Sequence, residues 1–242
     1  MIMNILLRAL LICSMLFAGP LVLAESGQTE KTQIEKVQAE KAQAVLAALA
    51  LSDIIEVMRQ EGLAQAVDVT GGFLPPTAVV AWRRDLDAIC DANWMKATVA
   101  AHFARKLGDA DMSSILAFLT SPNGKRFVAL EVSARQAMSD VSIEDAARWV
   151  YRASGDASDA RRDLVTIFIS RNDMVAANEE RALHASFSYY RGLRESGALE
   201  MSDREIIEEV WATEAETRSD TNEWLHAFLW MAYAQLDNSV LA

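Results

Sequence analysis

The chain has 242 residues, 52% hydrophobic and 24% charged, with 34 Asp and Glu against 23 Lys and Arg and a formal net charge of −11. That balance repels phosphate backbones and anionic lipid surfaces, which makes nucleic acid a poor partner. Half of the residues being apolar, with six tryptophans among them, is ample for a sizeable core, and the length suits one domain or two closely packed halves.

Residues 1–24 carry one positive charge at Arg8, an apolar run from Ala9 to Phe17, the pair Gly19-Pro20, and small or short residues at Val22 and Ala24. This is the three-part pattern of a secretory signal peptide cleaved after Ala24. The competing reading is a retained anchor, because the stretch 5–23 is nearly long enough to span a bilayer. The helix-breaking Gly-Pro pair ahead of a small-residue site favours cleavage. Cys13 lacks the preceding small residues of a lipoprotein site. No second spanning segment follows, so a soluble, exported mature chain is expected, with no stable membrane span after cleavage. Loss of Arg8 leaves 22 basic against 34 acidic residues, a net charge of −12. Cys90 is then the single cysteine, so no intrachain disulfide can form, and its place in an apolar helical pattern predicts burial.

Residues 30–44 repeat Glu-Lys-Thr-Gln-Ile, Glu-Lys-Val-Gln-Ala and Glu-Lys-Ala-Gln-Ala. Five residues advance a helix by about 140°, so the repeat spirals its charges round the axis and builds no lasting apolar face or heptad seam. Residues 25–48 are therefore expected to be a charged helical spacer, with an all-α domain over 49–242 and sub-halves at 49–153 and 156–242.

Ser52-Asp53 can cap a helix through Ile54, Ile55, Val57 and Met58, with Gly62 and Gly71-Gly72 as weak points. Phe73-Leu74-Pro75-Pro76 predicts an extended connection. Residues 82–107 then predict one long helix, with Trp82, Leu86, Ile89, Cys90, Trp94, Ala97, Ala101 and Ala104 as its inward stripe and Gly108 as its end.

The centre of the chain is the stretch 109–140. Met112, Ile115, Leu116 and Leu119 fall at i, i+3, i+4 and i+7 behind Asp109 or Asp111 as N-cap. Ser121-Pro122-Asn123-Gly124 stops this helix and starts another, since Ser121 can cap, Pro122 suits a first turn and Gly124 lets two backbones approach. Phe127, Leu130, Ala134 and Ala137 or Met138 form the stripe of the second helix. The predicted unit is an αα-hairpin, a packing device without a reactive group.

Ser142 and Asp145 have capping-box spacing before Ala146, Trp149, Val150 and Ala153. Gly155 closes that helix. Residues 157–192 predict helix with a break at Asn172-Asp173, and Ser196-Gly197 a turn. Ser202-Asp203-Arg204-Glu205 is a full capping box that launches Ile206, Val210, Trp211, Trp224, Leu225, Phe228 and Leu229, either as one very long helix or as one bent near Ser219-Asp220. No stretch sustains the period-two alternation of a strand. The expected fold class is all-α, a multi-helix bundle built from packed αα-hairpins. The region 201–233 stands where a degenerate copy of the central hairpin would, with residues 214–222 replacing its turn.

The segments Asp53-Ile54-Ile55-Glu56-Val57-Met58-Arg59-Gln60-Glu61-Gly62-Leu63, the helix–Ser-Pro-x-Gly–helix unit at 116–127, and the tails 131–151 and 224–233 resemble DUF2059, a family of exported bacterial proteins of unknown function. The resemblance spans most of the mature chain and implies an all-α fold in a periplasmic or secreted setting. It supplies no activity, cofactor or catalytic residue.

His102, His184 and His226 are far apart in the chain. Glu180 and His184 have i, i+4 spacing, half of a metal site, but no further ligand motif accompanies them, and an ordinary helix-surface pair is the simpler reading. No Gly-x-Ser-x-Gly elbow or phosphate loop is present, and Cys90 has no recognisable catalytic neighbour. Glu131 and Arg135 are spaced for a helix-stabilising ion pair. Trp211, Trp224 and Trp230 could form an exposed aromatic patch, although such spacing among Leu and Phe is more often core. No catalytic, cofactor-binding or metal residue is assigned, and no cofactor is expected. The chain reads as a non-enzymatic interaction or structural module of the cell envelope that engages another envelope protein or itself. The alternative is a carrier of a small apolar ligand or lipid between helices, motivated by the Met, Trp and Phe content.

Overall fold

The computed structural model describes residues 28–70, 76–108, 110–154 and 160–241, and every regular element among them is helical. The leader 1–24, Asp109, Gly71-Gly72, the connection through Pro75 and Gly155 lie outside these residues. The described residues fall into two compact units that divide between Arg135 and Gln136, ahead of the break expected near residues 153–156.

In the first unit, α1 (Gln28–Ala48) packs against α4 (Ala92–Leu107) and α5 (Ser113–Thr120), and α2 (Leu51–Thr70) against α3 (Pro76–Ile89) and α4. The end of α1 corrects the spacer reading. Ala42, Val45 and Leu46 fall at i, i+3 and i+4 and are buried, so the charged repeat runs straight into a core-forming stripe. Ile55 and Val57 of α2 and Leu86 of α3 add to the same core.

The single helix expected over 82–107 is two. Asp91 interrupts it, its carboxylate accepting the Trp94 N–H at 2.7 Å as the N-cap of α4. The inward stripe fails on both sides of that break. Ile89 and Trp94 are each 64% exposed, Ala97 and Ala101 are exposed as well, and Val99 is the buried residue of α4. Cys90 is only half-buried.

The central hairpin forms as expected, except that Met112 and not Asp111 is the N-cap residue of α5. The Asp111 carboxylate accepts the Ser113 N–H at 2.9 Å ahead of α5, and Ser121 accepts the Gly124 N–H through Oγ at 3.1 Å to start α6 (Pro122–Ala137). A Cβ on Gly124 would lie 2.0 Å from the Phe118 carbonyl oxygen, so the two backbones meet there and only glycine fits. Phe118 and Phe127 flank the turn with ring centroids 6.2 Å apart. Leu119 is the buried side chain of α5, whereas Ile115 of the expected stripe is 45% exposed.

The second unit is built round α11 (Glu214–Ala232), which packs against α7 (Val141–Ala153), α8 (Ala160–Arg171) and α9 (Met174–Glu195). Its second half, Trp-Leu-His-Ala-Phe-Leu, is apolar nearly all round, the pattern of a helix enclosed on every side, and all six residues are buried. Trp224 stacks on Phe228 at 5.0 Å and 11°. The chain breaks at Asp173, in left-handed conformation at φ 47°, within the expected Asn172-Asp173 break. Ser202 and Glu205 form the reciprocal capping box that starts α10 (Asp203–Trp211). The bend expected near Ser219-Asp220 instead falls at Ala212-Thr213, because Asp220 is an interior residue of α11. Arg161 of α8 donates to the Ala234 and Leu236 carbonyls at 2.9 and 2.6 Å, fixing the chain beyond α11, and the short α12 (Asn238–Leu241) packs on α8.

The N-cap of α7 is Asp140, not Ser142. Its carboxylate accepts the Ser142 N–H at 2.8 Å and the Ser142 hydroxyl at 2.6 Å. The orientation of α7 also departs from expectation. Glu144, Ala147 and Arg148 are buried, whereas Trp149 is 64% and Val150 46% exposed, and Ala146 and Ala153 are exposed with them. The helix turns its charged flank inward because α11 offers carboxylates there, and the apolar stripe is left outside.

Candidate functional site

Two features of the second unit concentrate chemistry. The first is an ion cluster where α7 meets α11. Buried Arg148 donates through Nε to Glu144 at 2.9 Å, and its Nη1 lies 3.0 Å from Asp220 and 3.2 Å from Glu223. Burial pulls the guanidinium pKa down, but Asp220 and Glu144 outweigh it and the net direction is up. Arg148 is thus a permanent cation held by three carboxylates. Such a cluster fixes the register of two helices, since breaking it strands buried charge.

The second feature is an apolar groove of about 490 Å³, open to solvent rather than enclosed, between α9, α10 and the start of α11. Ala176, Leu183 and Phe187 recur along one stripe of α9, and Ile207, Val210 and Trp211 face them from α10. The turn at Ala212-Thr213 folds α11 back so that Glu214 and Arg218 complete the lining. Glu179, 4% exposed, is held from across the groove by Arg218, with Nη2 to Oε2 at 2.8 Å and Nε to Oε1 at 3.2 Å. Glu180, Glu214 and His184 add polar lining. Trp211 is 57% and Ile207 44% exposed, so two large apolar side chains of the groove remain in water.

The three histidines do not converge. His102 sits on α4 in the first unit, its Nδ1 2.9 Å from the Thr98 carbonyl. His226 is buried on α11, with Nδ1 2.8 Å from the Asn222 carbonyl, Nε2 3.4 Å from the Thr166 hydroxyl and the ring 5.3 Å from Tyr151. His184 lines the groove with Glu180. Among the described residues no group of three or more His, Cys, Asp or Glu side chains is placed to hold a metal ion. Burial pushes the Cys90 thiol pKa up against the opposing pull of Arg59, which disfavours the nucleophilic thiolate.

Arg135, expected from the sequence to pair with Glu131, makes a long-range pair with α2. Both its terminal nitrogens reach the two carboxylate oxygens of Glu61 on α2, a buried two-pronged pair within the first unit. The tryptophans divide: Trp224 is core, Trp230 is half-buried with its ring edge-on to Tyr151 at 6.4 Å, and Trp211 is exposed. Sequence reasoning missed the groove and the Arg148 cluster. The i, i+4 spacing of Glu144 and Arg148 was the available signal for the cluster, and the adjacency of a capped short helix to a long one was the signal for the groove.

The fold and these features define an all-α protein in which one helical unit presents an open apolar cleft. Residues 93–150 match the family model described as an uncharacterized protein conserved in bacteria, DUF2059, so the chain carries that region from the first turn of α4 into α7. No curated protein and no solved structure matches the chain.

Proposed function

We propose that the chain is a non-enzymatic protein-interaction module of the bacterial cell envelope, exported to the periplasm or beyond by a leader cleaved after Ala24. The observation that carries this reading is the open groove with Trp211 and Ile207 standing in water at its wall. A groove between helices, apolar along its length and edged by Glu180 and Glu214, fits the apolar face of an amphipathic partner helix whose flanks are basic. Trp211 is the natural anchor, since large aromatic side chains contribute most to such contacts.

A photo-reactive amino acid placed at position 211 and irradiated in intact cells tests the reading. The expected result is one discrete adduct with a second protein, lost in Ile207→Glu, in which the present chain starts at Glu25. Recovery of only the uncrosslinked chain, or an adduct indifferent to Ile207→Glu, overturns it. A carrier of a small apolar molecule is the second reading, favoured by a volume within the range of ligand sites. The open wall weighs against it, because carriers enclose most of a ligand's surface. A bound mass retained in native mass spectrometry of protein from its own envelope would reverse that order.

A further inference from the structure

We infer that α7 is a self-association surface, on which a second copy of this chain packs antiparallel across a two-fold axis. The observation is the inverted helix. Glu144 and Arg148 point into the second unit, while Ala146, Trp149, Val150 and Ala153 lie on the opposite, exposed side, with Trp149 64% accessible. These four positions follow helical spacing and form one continuous face. The small residues at 146 and 153 let a facing helix approach, and Trp149 is large enough to anchor it.

Charge identifies the occupant. Along one edge of the apolar face run Asp145 and Arg152, seven residues and therefore two helical turns apart. A two-fold axis crossing the helix between them brings like edges together in opposite directions. Asp145 of each copy then stands level with Arg152 of the other, which makes two symmetric ion pairs. A parallel two-fold pair would bring unlike edges together and leave Asp145 and Arg152 without each other. Arg152 is available for this, because its side chain is 60% exposed and its own-chain partner Glu223 is 3.9 Å away, a loose contact. A face with one acidic and one basic position at matched spacing is self-complementary, whereas a purely acidic edge would call for a basic partner. A contact of one helix per copy lies at the low end of specific interfaces, so association in the micromolar range is expected. The groove on α9 and α10 takes no part, and this inference stands or falls separately from the function proposed above.

The test is sedimentation of the full-length chain, expressed with its own leader and purified, over a concentration series. A monomer–dimer equilibrium is expected, abolished by Trp149→Glu at an exposed position. Asp145→Arg alone and Arg152→Asp alone should each weaken association by about tenfold, and the double swap Asp145→Arg with Arg152→Asp should restore it. Helical circular dichroism unchanged in every variant separates lost association from lost fold. A chain that stays monomeric to roughly 100 µM overturns the inference, and so does a dimer that survives Trp149→Glu or fails to recover in the double swap.

Discussion

Gly124 illustrates how one residue can carry a turn. Its position is set by the Phe118 carbonyl, against which any Cβ would collide at 2.0 Å, with backbone rather than a flexible side chain as the obstacle. Gly124→Ala should therefore cost about 2–3 kcal/mol of stability, as overpacking does. Gly62 lies inside α2 with nothing within 4 Å of its would-be Cβ, so Gly62→Ala should instead be neutral or stabilise by up to about 1 kcal/mol. Urea midpoints of the two variants followed by circular dichroism would show opposite displacements. Arg148 is the electrostatic counterpart of Gly124. Replacing it by Met removes the guanidinium that Glu144, Asp220 and Glu223 share, at a cost of about 3–5 kcal/mol near pH 7. Denaturant midpoints of Arg148→Met beside the unaltered chain check this.

Single elements are held at their starts by acidic side chains. Asp111 and Asp140 are drawn to lower pKa by the hydrogen bonds that Ser113 and Ser142 donate to them, and Glu205 by those from Ser202. The sign of the consequence is fixed. A carboxyl group whose folded pKa lies below its ordinary value of about 4 contributes stability that is fully present above that value. The contribution is lost as pH falls through the depressed folded value. The starts of α5, α7 and α10 should thus loosen together in acid, below about pH 4. Asp140→Asn keeps an N-cap acceptor but removes the titration, so its stability should fall less steeply over that window than that of the unaltered chain. An equal slope in both would exclude Asp140 from the acid response. Some of this was legible in the chain itself: the capping box at Ser202 and Glu205 and the Ser-Pro-x-Gly turn are local patterns, complete within a few residues. Others were hidden by competition between neighbours. Asp140 and Ser142 both suit an N-cap, and the carboxylate wins by accepting two donors at once. Asp91 ends a run that looked continuous, because one well-placed acceptor outweighs an apolar periodicity.

At the scale of the molecule, periodicity reveals that a helix has two faces but not which face finds a partner. Trp94, Ala97 and Ala101 share a stripe with Leu86 on paper, yet the break at Cys90-Asp91 frees α4 to turn that stripe to water and to bury Val99. Arg135 pairs with Glu61 across the first unit, a contact that depends on where α2 lies and so is invisible locally. The candidate groove was equally hidden, since Leu183 and Trp211 become neighbours only once α10 folds back on α9. What could be anticipated was the all-α class, the central hairpin and the burial of Trp224, each set by residues close in sequence.

The inverted seating of α7 has a consequence for how this chain should tolerate change. A hydropathy plot marks Trp149 and Val150 as untouchable and Glu144 as replaceable. Saturation mutagenesis scored for abundance alone should return the reverse ranking along this helix, with aspartate or lysine accepted at 149 and 150 and even glutamine penalised at 144. Selection for folding and selection for assembly would then act on opposite sides of the same thirteen residues.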